Sequence, residues 1–495
     1  MRIRTLVAVI AAVALLAAGV GALALYADRD NPSAGPGEQS ATPPAPTVPV
    51  PAPEGLDLPE ARQPQAVLGD TGGVRIAAGA VRRQLARLLR DKDLGPHVGV
   101  LVRDLDSGDD LLSVGGGSRF TPASTLKLFT AAAVLALLGP EHRFETAVVL
   151  DRSGPGPPRA VLVGGGDPLL ARTQRDPDRA FAPDVSTVAS VDRLAQRTAQ
   201  ALRAAGVRRV QVGWDESLFT GPAVSPRWER SYVPDEVVSR ISALWVNEGR
   251  LGYGYSARSD NPAAAAAREF AEVLERRGVT VRGTPVPTPL ADPAAGDEEA
   301  ADGVLATAES APLDEIVQHV LTVSDNEGAE VLLRHVGLAS DRAGSFRGGS
   351  AGLRATLTRL GVPWRGVDVY DGSGLSRSNR VTLAAELAVL GLGADPDRPD
   401  LRGVVAGLPV AGFNGTLAYR FVDDASAAAK GVARAKTGTL TGVQGLAGVV
   451  VSRDGSLLGF ALLLDRVRPA DTFGARLTLD RLTSALARCG CARRR

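Results

Sequence analysis

From Pro122 to Leu138 the chain carries a single charge, Lys127, in an otherwise apolar run that stops at Gly139-Pro140. Proline suits the first position of a helix and Gly-Pro its end. A helix that is apolar on every side has to be buried. Burying an amine is costly unless polar groups surround it, so the fold must bring such groups to Lys127. One is local. Ser124 lies three residues earlier, and positions i and i+3 share a helix face. A serine hydroxyl becomes a nucleophile when an adjacent base takes its proton, and an amine in a partly desolvated pocket is such a base. Ser124 also falls in the first turn, where free N–H groups and the helix dipole favour a developing anion.

Lysine is scarce in this sequence: the four are Lys92, Lys127, Lys430 and Lys436. Lys436 opens Lys436-Thr437-Gly438-Thr439, between Val432–Ala435 and Leu440–Val443, which reads as an edge strand lining a cleft. A lysine and hydroxyls there can bind a carboxylate, with Gly438 leaving room for a substrate to approach. Ser324-Asp325-Asn326 lies between two helical stretches. It can present a hydroxyl and an amide to a cleft, and it also suits the cap of the helix that follows.

The first residues set the compartment. Arg2 and Arg4 precede Thr5–Ala27, which has no charge. That is the order of an export signal or a membrane anchor, with the rest of the chain outside the cytoplasm. The expected layout is a signal or anchor over 1–27, a Pro-rich spacer over 28–70, a catalytic domain in two parts over 71–148 and 303–488, an inserted domain over 149–302, and a tail over 489–495. Within the first part, His97–Leu105 and Leu111–Val114 read as a hairpin around Ser107-Gly108-Asp109. The inserted region alternates Ala-rich helices with short strands, as in Val191–Ala205 before Val207–Val212 and Pro262–Arg277 before Val279–Arg282. It ends in the acidic loop Ala291–Asp302. Helices follow at Pro312–Val323, Glu327–Val336, Leu353–Leu360 and Val381–Leu392. Strands at Leu446–Val451 and Leu457–Leu464 and a helix over Asp471–Arg488 close the chain. Its two ends are expected to complete one antiparallel sheet.

Composition excludes other classes. A net charge of +1 provides no field for nucleic acid. The four histidines show no metal-ligand spacing and supply no Ser-His-Asp triad, so neither metal nor cofactor is expected. Gly348-Gly349-Ser350-Ala351-Gly352 satisfies G-x-S-x-G but lacks the strand that a nucleophile elbow needs. Asp371-Gly372-Ser373-Gly374 reads as a tight turn near the cleft. Val163–Asp167 is Gly-rich without the Lys-Ser/Thr of a phosphate loop. Cys489 and Cys491 are too close for an unstrained ring and read as incidental.

Ser-x-x-Lys, Ser-Asp-Asn and Lys-Thr-Gly in this order form the set shared by penicillin-binding proteins and class A β-lactamases. The chain resembles the low-molecular-mass, class C penicillin-binding D-alanyl-D-alanine carboxypeptidases/endopeptidases over roughly residues 75–485. Further stretches carry the likeness: Thr121-Pro122-Ala123-Ser124, Gly164-Gly165-Gly166-Asp167-Pro168-Leu169, Asp371–Arg377, Asn414-Gly415-Thr416-Leu417 and Ala435–Leu440. The resemblance implies an α/β (α+β) fold of the serine β-lactamase/D,D-peptidase type, an antiparallel sheet flanked by helices with an inserted α/β domain. It implies Ser124 as acylated nucleophile, Lys127 as general base, Ser324 as proton shuttle and Asn326 as holder of the substrate amide. Lys436, Thr437, Gly438 and Thr439 would bind the substrate's terminal carboxylate, and the N–H groups of Ser124 and Thr439 would form the oxyanion hole. It implies peptidoglycan stem peptides as substrate, β-lactams as covalent inhibitors and an extracytoplasmic location. The insertion is short for this family, which implies that one inserted domain is reduced or missing. Class A β-lactamases clear the acyl-enzyme with a glutamate-held water. No glutamate lies between Glu330 and Glu386, which favours a peptidase that penicillin blocks. Oligomeric state and the choice between carboxypeptidase and endopeptidase action are not encoded in these motifs.

Overall fold

A computed structural model describes residues 76–154, 156–173, 185–252, 257–290 and 303–491. The expected signal or anchor, the spacer up to residue 70 and the loop Ala291–Asp302 lie outside the described residues. Among the described residues no helix is long and apolar enough to cross a membrane.

Two sheets organise the body. The first joins β1 (Val98–Asp104) and β2 (Asp110–Val114) to three strands from the far end of the chain, β9 (Ala433–Leu440), β10 (Val443–Val451) and β11 (Leu457–Leu464). Its order is β2-β1-β11-β10-β9, antiparallel throughout, with Val98 opposite Leu464 and Ala447 opposite Lys436. The chain ends therefore do complete one sheet. Its central strands are covered on both faces. Leu446, Val450, Leu458, Phe460 and Leu462 point to a core with α1 (Ala78–Leu85) and α10 (Thr472–Ala487). Ala447, Ala461 and Leu463 point to the larger helical core. Small residues on that second face let helices approach closely.

The second sheet runs β6-β5-β4-β3-β8. It is built from β3 (Glu145–Asp151), β4 (Arg159–Val163), β5 (Arg209–Asp215), β6 (Thr280–Val281) and β8 (Val304–Glu309), with β7 (Val286–Pro287) also beside β5. β4, β5 and β6 are parallel and are connected through α3 (Val191–Ala204) and α4 (Pro262–Arg276). That is the alternation of helix and strand expected of the insertion. β3 and β8 pair antiparallel where the chain leaves and returns. The sheet thus starts at Glu145 and ends at Glu309.

The helical layer holds α2 (Lys127–Leu138), α5 (Leu313–Val323), α6 (Asn326–Leu338), α7 (Phe346–Arg359), α8 (Leu383–Ala394) and the short α9 (Gly403–Ala406). α2 is its axis: Leu128, Phe129, Ala132, Ala133 and Val134 are wholly buried. α7 begins seven residues before the expected Leu353, because its first turns are glycine-rich and read as loop. A side chain at Gly349 would meet the Leu333 carbonyl at 2.3 Å, so those glycines let α7 lie directly on α6. Ser350 therefore sits on a packed helix and not on an elbow. Cys489 and Cys491 differ from expectation too. Both are buried, and the Cys491 carbonyl accepts a hydrogen bond from the Ala77 N–H, so neither hangs free in a tail.

Candidate active site

The nucleophile turn is tighter than expected. Residues Ala123–Leu126 form a 3₁₀ turn ahead of α2. In that geometry residues three apart eclipse one another, which places the Lys127 amine 3.0 Å from Ser124 Oγ. Ala123 adopts φ 50°, a left-handed conformation that costs a non-glycine residue about 1–2 kcal/mol. The turn is wedged from both sides. A side chain on Gly438 of β9 would meet the Pro122 carbonyl at 2.6 Å, and one on Gly374 would lie nearer still to the Ala123 carbonyl. The absence of a side chain at Gly438 also lets the edge strand close on the serine's turn.

Lys127 is fully buried and has three oxygen neighbours: Ser124 Oγ, Asn326 Oδ1 at 2.9 Å and the Ser373 carbonyl at 2.8 Å. Burial lowers its pKa to about 8, against an opposing pull from Asp325, Glu330, Asp371 and Glu327. A neutral amine has two N–H groups and one lone pair. Asn326 Oδ1 and the Ser373 carbonyl can only accept, so they take the two N–H groups and the lone pair faces the Ser124 hydroxyl.

The other two motifs meet at the loop between α5 and α6. Lys436 Nζ donates to Ser324 Oγ at 2.8 Å and to the Thr437 carbonyl at 3.1 Å. Ser324 takes a left-handed conformation (φ 64°) at the end of α5, and Asp325 caps α6 by accepting from Gly328 N. Lys436 is sealed from solvent, with its pKa well below the usual value through burial and the nearby Lys127. It therefore reaches the cleft through the Ser324 hydroxyl that it holds, and is not itself a cleft-lining side chain. Thr437 is half-buried with its hydroxyl 2.9 Å from Thr416 Oγ1, while Thr439 is exposed on the free edge of β9. All eight expected residues are thereby connected: Ser124, Lys127 and Asn326 by one set of bonds, Ser324 and Lys436 by another, and Thr437, Gly438 and Thr439 by the strand.

Sequence reasoning missed the buried carboxylates that hold this arrangement. Asp371 accepts from Trp228 Nε1 (2.8 Å), Asn379 Nδ2 (2.7 Å) and the N–H groups of Gly374 and Ser376. Glu330 accepts from Gly372 N and Ser373 N. Together they fold the tight turn whose Ser373 carbonyl faces Lys127. Burial raises both carboxyls, Glu330 to about 7 with Asp371 beside it pushing the same way. Glu386, raised by burial to about 7, meets Thr125 Oγ1 at 2.6 Å beside the nucleophile. Thr416 joins the strand through Thr437. The stretches Asp371–Arg377 and Asn414–Leu417 were the only sequence signal for any of these.

Removing Asp371 leaves four buried donors unpaired, each costing about 1–3 kcal/mol. Asp371→Ala should lower the thermal unfolding midpoint markedly, while Ser373→Ala, which keeps the carbonyl that Lys127 uses, should lower it far less. Equal losses in parallel melts would contradict this account of the turn.

Comparison with known proteins agrees with the geometry. The sequence matches carboxypeptidase DacB of Mycolicibacterium smegmatis with 32% identity over 487 residues, covering 97% of this chain and 96% of that protein. It matches the D-alanyl-D-alanine carboxypeptidase of Actinomadura sp. with 32% identity over 471 residues, covering 79% of this chain and 81% of the relative. The fold is shared with crystal structures of penicillin binding protein 4 from Haemophilus influenzae. One gives a TM-score of 0.62 at 19% identity over 84% of this chain and all of that one. A second, of the protein complexed with a novel β-lactam, gives 0.57 at 20% identity, covering 82% and 98%. The D-Ala-D-Ala carboxypeptidase 3 (S13) family profile matches residues 81–253 and 250–486, and with these relatives it establishes that the chain belongs to that family of serine peptidases.

Proposed function

We propose that the protein cleaves the terminal D-alanyl-D-alanine bond of peptidoglycan stem peptides through an ester on Ser124, and that β-lactams acylate the same residue. The observation that carries this reading is the buried Lys127 amine, 3.0 Å from Ser124 Oγ with a pKa of about 8. About a tenth of it is neutral at pH 7. In the neutral form Lys127 takes the Ser124 proton as Oγ attacks the carbonyl carbon of the penultimate D-alanine. The oxyanion is met by the N–H groups of Ser124 and Thr439, donors worth a few kcal/mol each in such sites. Collapse breaks the C–N bond. The proton passes from Lys127 through the Ser324 hydroxyl to the leaving amine of the terminal D-alanine. Water then attacks the ester, gives a proton back by the same route and releases the shortened peptide. Asn326 orients both Lys127 and the substrate amide. The Thr437 and Thr439 hydroxyls meet the terminal carboxylate, together with the Ser324 hydroxyl that Lys436 holds in place.

The substrate class rests on the family, and the β-lactam reading draws on the complexed Haemophilus relative. Arg2, Arg4 and the uncharged Thr5–Ala27 support an extracytoplasmic working domain, released or held at the membrane.

Two outcomes test the reading. Intact mass spectrometry should show one penicillin adduct on the protein and none on Ser124→Ala. The acylation rate should rise about tenfold per pH unit below pH 8 and flatten above it as Lys127 becomes fully neutral. An adduct on the serine variant, or a pH-independent rate, refutes it. The carboxylate role has its own test: Lys436→Ala should slow release of D-alanine from a peptide with a free terminus more than cleavage of its amidated analogue. Equal slowing rejects that role.

A further inference from the structure

The inserted segment reaches into the active site. Trp228 Nε1 holds Asp371, the Val237 carbonyl accepts from Asn326 Nδ2 at 3.0 Å, and Ser239 N donates to Glu327 Oε1 at 3.1 Å. The deepest of these contacts is carboxylate to carboxylate. Glu248 is wholly buried, and oxygens of Glu248, Asp325 and Glu327 all lie within 4.8 Å of one another. Asp325 is the middle residue of Ser324-Asp325-Asn326 and the cap of α6. Like charges at this separation repel strongly inside a protein. Two guanidinium groups face the cluster, Arg250 Nη1 at 2.7 Å from Glu248 Oε2 and Arg258 Nη2 at 3.0 Å from Glu327 Oε1. Three carboxylates therefore meet two arginines, with Lys127 beyond Asp325 and Glu327. A charged Lys127 completes the balance, and when Lys127 is in its neutral, reacting form one proton on the cluster does so.

The backbone singles out Glu248 independently. Asn247 (φ 49°), Glu248 (φ 54°) and Gly249 (φ 75°) are left-handed in succession. Two non-glycine residues in this region are strained, and such strain concentrates at functional sites. The other described residues at the reaction centre with positive φ and a side chain are Ala123 and Ser324. The strained turn sets a buried acid within 4.8 Å of the residue between Ser324 and Asn326.

We propose that Glu248 is a positioning residue of the reaction, which in its protonated form holds Asp325 and so fixes the Ser324 hydroxyl and the Asn326 amide against Lys436 and Lys127. The proposal rests on the acyl-enzyme reading above and gives the insertion a part in the chemistry. Burial, with Asp325 and Glu327 adding to it and Arg250 opposing, pushes the Glu248 carboxyl well above its ordinary range. As pH rises through that raised pKa the proton is lost, Asp325 is repelled and the loop is released. A glutamine keeps a donor at every pH.

The test follows acylation of the full chain by a fluorescent penicillin from pH 6 to 9, with Ser124→Ala as control. Glu248→Ala should slow acylation about tenfold or more, as misplacement of catalytic groups does, with little change in the penicillin concentration giving half-maximal rate. Glu248→Gln should stay within about threefold of the wild type at pH 7, and its rate relative to wild type should climb with pH. A constant ratio, a glutamine variant as slow as the alanine variant, or an alanine variant as fast as the wild type overturns the assignment. Failure of the wild type to acylate on Ser124 would instead overturn the acyl-enzyme reading itself.

Discussion

Everything at the reaction centre depends on an amine kept out of water. Lys127 loses its hydration to the apolar core around α2 and regains only three contacts, from Ser124, Asn326 and Ser373. The penalty for burying the charge exceeds what the surrounding carboxylates return, so the balance tilts towards the neutral base. Two of the oxygens accept only, and that directs the lone pair to Ser124. Base strength and aim come from the same packing.

The scaffold holds this arrangement at close range and at some cost. Ala123 and Ser324 both adopt left-handed backbone without being glycine, next to the nucleophile and at the loop that faces it. Gly438 and Gly374 bring the edge strand and the Asp371 turn against the Ser124 turn. Glu330 accepts from two backbone N–H groups and Asp371 from two more and from the Trp228 and Asn379 side chains, shaping a turn that contributes one carbonyl. The second sheet is connected to this centre through Trp228, Val237, Ser239 and Glu248, so the insertion belongs to the support of the site as well as lying between two halves of a domain.

Much of this was legible in the sequence because it is local or periodic. The hairpin, the helix–strand pairs of the insertion and the three motifs each reside in short stretches, and the apolar flanks of Lys127 foretold a buried amine. Long-range complementarity was not legible. Glu330 meets Gly372 and Ser373, Asp371 meets Trp228, and Glu248 lies beside Asp325, all distant in sequence, and nothing near them in the chain marks these partners. The glycine-rich start of α7 read as loop because propensity disfavours glycine in helices, while tertiary packing against α6 requires it. Lys436 read as a cleft-lining side chain because its strand reads as the edge of the sheet. Its burial follows from the α5–α6 loop folding over it, which local pattern does not record.

The pKa of the Lys127 amine is the most direct test. With four lysines in the chain, NMR of protein labelled only at lysine gives a spectrum simple enough to assign by single substitutions. The signal lost in Lys127→Met should titrate near pH 8 in the native protein. A Lys127 signal that titrates at the usual lysine value, about 10.4, would mean that the amine is a charged structural group, and the account of Ser124 activation would be wrong.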